Sequence, residues 1–172
     1  MAIVPDTKDW TFVLNQPCAE CGYDASTVAF ASIPDRLAGI ATSWQAVLRR
    51  PTVRTRPSPD RWSELEYGCH VRDVFWRFVT RLRVMLEEDD PTFANWDQDA
   101  TALEGRYGEQ DPAAVSLELS DAAAALGDAF REVPQGALAR TGTRSDGAHF
   151  TVETLGLYLV HDPAHHLWDV GG

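Results

Sequence analysis

The residues best suited to chemistry sit together near the end of the sequence. The stretch Tyr158-Leu-Val-His-Asp-Pro-Ala-His-His-Leu-Trp168 holds three of the five histidines. His161 and His165 are four apart, so on a helix their rings project from one face, one turn above the other, as two ligands of a divalent metal must. A third donor has to come from another element, and outside this stretch the only histidines are His70 and His149. His70 lies three after Tyr67 and four before Val74 in an apolar periodicity, which points it at or beside the core, an expensive place for an imidazole without a partner. We therefore expect His70, His161 and His165 to converge on one ion, giving three nitrogens and an open fourth position. His166 is one residue out of phase: an outer partner or surface residue, or a replacement for His165 if Pro163 rotates the helix. Asp73, one turn after His70, either orients that ring or is a solvated charge. His149 reads as a loop histidine.

The three cysteines supply a second set of candidates. Cys18 and Cys21 have zinc-like spacing but no second pair. They read as a half-site completed by Cys69 or a histidine, as a dithiol redox pair, or as a tight turn with two inert thiols. Cys69 lies off the main apolar stripe, as a small buried filler or a neighbour of the metal.

The elements that must position these groups are mostly helical. Residues 1–31, with Pro5, Pro17 and Gly22, show no sustained period and read as an irregular arm whose Trp10, Phe12, Val13 and Leu14 pack on the main body. Ser32-Ile-Pro-Asp opens a helix to about Arg50, with Leu37, Ile40, Ala41, Trp44, Val47 and Leu48 as its apolar stripe. Residues 51–62 form an exposed, proline-rich connection. Ser63 and Glu66 make a capping box for a helix to about Asp89, inward at Val71, Val74, Phe75, Phe78, Leu82 and Met85. Residues 90–110 are a long connection carrying Phe93, Trp96 and Tyr107, which suits a wall over a pocket, with a short helix through Asp99 to Arg106. Asp111-Pro112 starts a third long helix ending near Val133. After turns from Gln135 to Gly147, Thr151 caps a fourth, which Pro163 should kink or split. With no alternating strand and no repeat, the fold class is all-α: a four-helix bundle over residues 32–172 behind the arm.

Composition narrows the function. At 172 residues and 19.0 kDa the chain fits a single domain, and a net charge of −11 repels nucleic acid and anionic membranes. No apolar run is long enough to span a bilayer, and the first residues lack the features of a secretory signal. Three cysteines in a chain of this kind do not suggest a disulfide framework. We expect a cytoplasmic protein with a small-molecule substrate.

The Cys18-to-Gly22 turn, the helix with Glu66-Tyr-Gly-Cys-His70-Val-Arg-Asp and the terminal His161-Asp-Pro-Ala-His165-His166 together resemble the DinB-like superfamily, over roughly residues 32–170. That superfamily of bacterial four-helix proteins includes metal-binding members, relatives of the N-terminal domains of maleylpyruvate isomerases, and transferases that use bacillithiol or mycothiol. The resemblance implies a metal triad of His70, His161 and His165. Here the proline between the last two ligands and the cysteine-bearing arm depart from the family pattern. The expected function is a metal-dependent, mycothiol-type S-transferase: zinc or nickel lowers the pKa of a thiol, which attacks an electrophile in a pocket lined by Trp96 and Tyr158 or Trp168. The rivals are a non-catalytic metal-binding bundle, dimeric through an exposed apolar stripe, and a redox protein using Cys18 and Cys21.

Overall fold

The computed structural model describes residues 8–172, so the first seven residues of the expected arm lie outside the described residues. The helices are α1 (Ile33–Val47), α2 (Glu64–Glu87), a short α3 (Gln98–Glu104), α4 (Pro112–Arg131) and α5 (Val152–Asp169). Their starts follow from local chemistry. At α2 the Ser63 backbone N–H donates to Glu66 Oε2 at 2.8 Å, and the Glu66 N–H returns to Ser63 Oγ at 3.3 Å, closing the capping box. Asp111 accepts from the Ala113 N–H at 2.7 Å ahead of α4, with Pro112 already holding a helical φ. Thr151 and Thr154 cap α5 reciprocally at 2.8 and 3.1 Å. Ser32 differs: its backbone is already helical, its hydroxyl donates to the Ala29 carbonyl at 2.7 Å and accepts from Arg36 Nε at 3.2 Å, and the first turn of α1 has no side-chain cap.

Both α1 and α2 pack against α4 and α5, so around the bundle the order is α1, α4, α2, α5. Helices consecutive in the chain, α1 and α2, thus occupy opposite corners. The interior is filled by Leu37, Trp44, Phe75, Leu82, Leu119, Leu126 and Leu155, all essentially inaccessible to water, and each contributes about 1.5–3 kcal/mol by leaving it. Gly156 lets α5 approach closely, since a Cβ there would lie 2.7 Å from Ile33 Cδ1 and 3.0 Å from Phe130 Cε1.

Two expectations need correction. The chain is not strand-free: β1 (Thr92–Phe93) pairs in parallel with β2 (Thr141–Arg144), which pairs antiparallel with β3 (His149–Thr151). Strands of two to four residues are too short to display alternation. Gly147, at φ +95°, makes the turn between β2 and β3. Nor does Pro163 split the last helix, because α5 continues through it to Asp169. Pro163 is buried there, and its carbonyl accepts the Trp44 indole N–H at 3.3 Å, tying α5 to α1. No helix among the described residues is long and apolar enough to cross a membrane.

The arm has three short 3-10 turns, Trp10–Leu14, Ala25–Thr27 and Phe30–Ser32. It lies on α5: Val13 is fully buried, and the Tyr23 hydroxyl donates to the Leu157 carbonyl at 2.6 Å. The connection after α2 folds back as β1 and α3.

Candidate metal centres

Neighbouring positions on a helix point about 100° apart, so α5 carries two interleaved pairs at ligand spacing. His161 and His165 face the arm; Asp162 and His166 face α2. Two groups of donors result, Cys18, Cys21, His161 and His165 in one and His70, Asp162 and His166 in the other, and within each group the ligand atoms lie within 4.8 Å of one another. The expected pair His161 and His165 is brought together, with ring centroids 5.0 Å apart. His70 does not join it; it meets the pair one residue further along.

In the second group His70 Nε2 is 3.4 Å from Asp162 Oδ1. His166 Nδ1 is 2.9 Å from Asp169 Oδ2, and its Nε2 is turned toward Asp162 Oδ1 at 4.0 Å. A carboxylate behind a ligand imidazole fixes its orientation and raises its basicity. His70 is 1% exposed and is held by aromatics: Trp96 stacks on it at 5.1 Å with planes 3° apart, and Trp62 lies at 5.4 Å. Both His70 nitrogens and Asp162 Oδ1 are buried without a hydrogen-bond partner. Burial alone would raise the Asp162 pKa, but the neighbouring His70 outweighs it and holds the carboxyl at about 2. Asp73 does not orient His70; it accepts from the Tyr107 hydroxyl and from Arg72 Nε at 2.7 Å.

In the first group Cys18 Sγ is 3.7 Å from His165 Nδ1. The opposite nitrogen, His165 Nε2, is 3.4 Å from Glu20 Oε2 and 3.9 Å from Asp169 Oδ2. His161 Nε2 is buried without a partner. Burial, reinforced by His165 alongside, pushes His161 down to about 4, and burial lowers His165 too. Burial pushes Cys21 up to about 11, against the pull of the Tyr23 N–H on its sulfur. Cys69, though next to His70 in the chain, belongs to neither group; it is buried with its Sγ 3.5 Å from Gln110 Oε1. His149 lies exposed on β3, 3.0 Å from Thr143 Oγ1.

A cleft of about 1400 Å³ opens beside these groups, bordered by His70, Asp162 and His166 and, on the side of the arm, by Trp10, His161 and His165. The connection after α2 forms one wall with Asn95, Trp96 and α3 residues, and Tyr158 lines another side. Trp168 is instead on the outer surface, 50% exposed. Sequence reasoning missed two cleft residues, Arg81 and Arg144. Arg81 is buried, donates to the Ala94 carbonyl at 3.1 Å and has no carboxylate within ion-pair distance among the described residues; burial, with Arg144 and Arg77 nearby, lowers its pKa to about 10. Arg144 pairs with Asp146 at 2.8 Å and donates to the Tyr158 oxygen at 3.2 Å. A charged side chain off the apolar stripe of a helix, as Arg81 is, or in a turn-rich stretch, as Arg144 is, reads as solvated, so neither arginine announced itself. Asp162 had a visible signal, the four-residue spacing to His166.

Fold and site define a four-helix bundle whose last helix carries clustered side chains of the types that can hold a metal ion. The chain belongs to the DinB superfamily, whose sequence profile matches residues 48–170. Among solved structures it is similar to YfiT from Bacillus subtilis, with a TM-score of 0.64 and 17% identity over 97% of this chain and 89% of that chain. YfiT is described as a probable metal-dependent hydrolase with an unusual four-helix bundle topology. At that identity the likeness is one of fold. No curated protein sequence matches the chain.

Proposed function

We propose that the chain is a metal-dependent enzyme that activates a small nucleophile, preferably a low-molecular-weight thiol of the mycothiol type, against an electrophilic small molecule held in the cleft. The observation that carries this reading is the group His70, Asp162 and His166 on the border of the cleft. Two imidazoles and a carboxylate are a donor set of catalytic zinc sites and suit nickel or iron as well. The buried nitrogens of His70 and the buried oxygen of Asp162 without hydrogen-bond partners fit a cation. A divalent ion held there would supply Lewis acidity and lower the pKa of a bound thiol or water.

The chain's own residues do the rest. Asp169 fixes the His166 ring, and Trp96 covers His70 from water. Arg81 lines the cleft with no carboxylate at ion-pair distance among the described residues, which leaves its guanidinium to meet an anionic group on the substrate. Tyr158 keeps its proton, because burial raises its pKa, and its oxygen already accepts from Arg144, so the hydroxyl is left to donate to a ligand. A hydrolytic reading is favoured by the likeness to YfiT, and the two differ in which nucleophile the site accepts.

The test is protein purified without chelator, assayed with a panel of low-molecular-weight thiols against activated halides and epoxides, and separately against esters and amides without thiol. Thiol-dependent turnover that disappears in both His70→Ala and Asp162→Ala supports the transferase; thiol-independent hydrolysis with the same dependence supports the hydrolase. Equal metal content and turnover in wild type and both variants would overturn both.

A further inference from the structure

We propose that Cys18, Cys21, His161 and His165 form a second metal site, a closed tetrahedral zinc site that fastens the arm to α5. It is independent of the activity proposed above. The four donors come from two segments at opposite ends of the described chain, and their ligand atoms are already within 4.8 Å of one another. Zinc–sulfur bonds of about 2.3 Å and zinc–nitrogen bonds of about 2.0–2.1 Å give tetrahedral edges of about 3.3–3.8 Å. The Cys18 Sγ to His165 Nδ1 separation of 3.7 Å is such an edge, and the rest close by side-chain movements of less than about 1 Å.

Three features show more than proximity. First, the cysteine turn is built to present two sulfurs in one direction: the Cys18 N–H donates to the Tyr23 carbonyl at 2.8 Å, and the Gly22 N–H returns to the Cys18 carbonyl at 2.9 Å. Gly22 sits at φ +74°, a conformation that side chains rarely adopt. Second, His161 Nε2 is buried with no hydrogen-bond partner, in a residue only 3% exposed. Third, His165 offers Nδ1 to the cysteines while its Nε2 faces Glu20 and Asp169, the carboxylate backing that orients a ligand imidazole.

Two thiolates and two neutral imidazoles balance a divalent cation, so the loaded site is electrically neutral where the surroundings are buried. With four protein ligands it has no open position, which makes its role structural. The arm also encloses the site. Trp10 lies over both rings, 5.2 Å from His161 and 4.8 Å from His165, and Tyr23 lies 5.4 Å from His161, so the ion sits under an aromatic cover.

The full chain, expressed in zinc-supplemented medium and purified without chelator, is analysed for metal per chain and, after exchange, by cobalt(II) absorption. Thiolate-to-cobalt charge transfer identifies sulfur ligation without any variant. Wild type should show that band, Cys21→Ser should lose it together with about one zinc per chain, and His70→Ala should keep it. Cys21 is only half-buried, which makes its serine variant a mild change; should that variant fail to fold, the wild-type spectrum and thiol alkylation decide. Protection of both arm cysteines from alkylation, lost when zinc is stripped, supports the site. A cobalt spectrum lacking the thiolate band, a Cys18–Cys21 disulfide in the zinc-exposed protein, or alkylation at the same rate with and without zinc overturns it.

Discussion

Replacing Glu66 by glutamine should destabilise the protein and do so only where the carboxylate is charged. Glu66 lies in the first turn of α2, one turn ahead of His70, and its side chain is 8% exposed. Its Oε2 accepts from the Ser63 N–H and O–H, both at 2.8 Å, and from Arg56 Nε at 2.9 Å. Hydrogen bonds to a charged group contribute roughly 1.5–3 kcal/mol each. Glutamine keeps one acceptor oxygen, so the Ser63 bonds partly survive, while its amide group is turned against the guanidinium. Arg56 is 35% exposed and recovers some solvation by moving outward. The net loss should be about 2–3 kcal/mol at pH 7, or a Tm lower by about 5–10 °C. The pH dependence has a definite sign. Burial would raise the Glu66 pKa, but Arg56 and Ser63 outweigh it and bring it below its ordinary value of 4.5. The stabilisation is therefore complete above that value and lost as pH falls through the lower folded one. Urea denaturation of both proteins from pH 7 to pH 3 measures this. A glutamine variant within about 0.5 kcal/mol of wild type at pH 7, or a deficit as large at pH 3 as at pH 7, would refute the reasoning.

Gly156→Ala should cost about 1–3 kcal/mol, since its Cβ meets Ile33 and Phe130 at 2.7 and 3.0 Å; thermal denaturation by circular dichroism reads it directly. Asp169→Asn removes the carboxylate behind His166 and should weaken metal binding at the cleft by about 10–100-fold in a chelator competition. Tyr107→Phe deprives Asp73 of a hydroxyl donor and should cost about 1–2 kcal/mol in urea denaturation while leaving metal affinity unchanged.

The bundle was readable because its helices announce themselves twice, by apolar stripes and by caps. Ser63 with Glu66, Thr151 with Thr154, and Asp111 with the Ala113 and Ala114 N–H groups behind Pro112 all appear as real hydrogen bonds. Ser32 shows the limit of that logic, because whether a serine oxygen accepts a helix N–H depends on backbone geometry that composition does not reveal, and here the backbone of Ser32 is already helical. β2 and β3 were invisible because tertiary pairing, not propensity, makes such short strands. The site was half legible. The spacing of His161 and His165 was plain, but Asp162 and His166 repeat it one residue on, and only the rotation of α5 against its neighbours decides which pair meets His70. The cysteine pair looked incomplete for a related reason: its counterpart is the His161–His165 pair, separated from it by almost the whole bundle.

That separation bears on how the molecule is made. Every ligand group identified on the early part of the chain, two sulfurs and one imidazole, waits for a helix that begins only at Val152. A nascent polypeptide halted on the ribosome before that residue has α1 and α2 on the diagonal of an unfinished bundle, with the side that α5 should occupy bare. Assembly of either ion-holding group is thus a late event, coupled to docking of the last helix rather than to the folding of the segments that supply its partners.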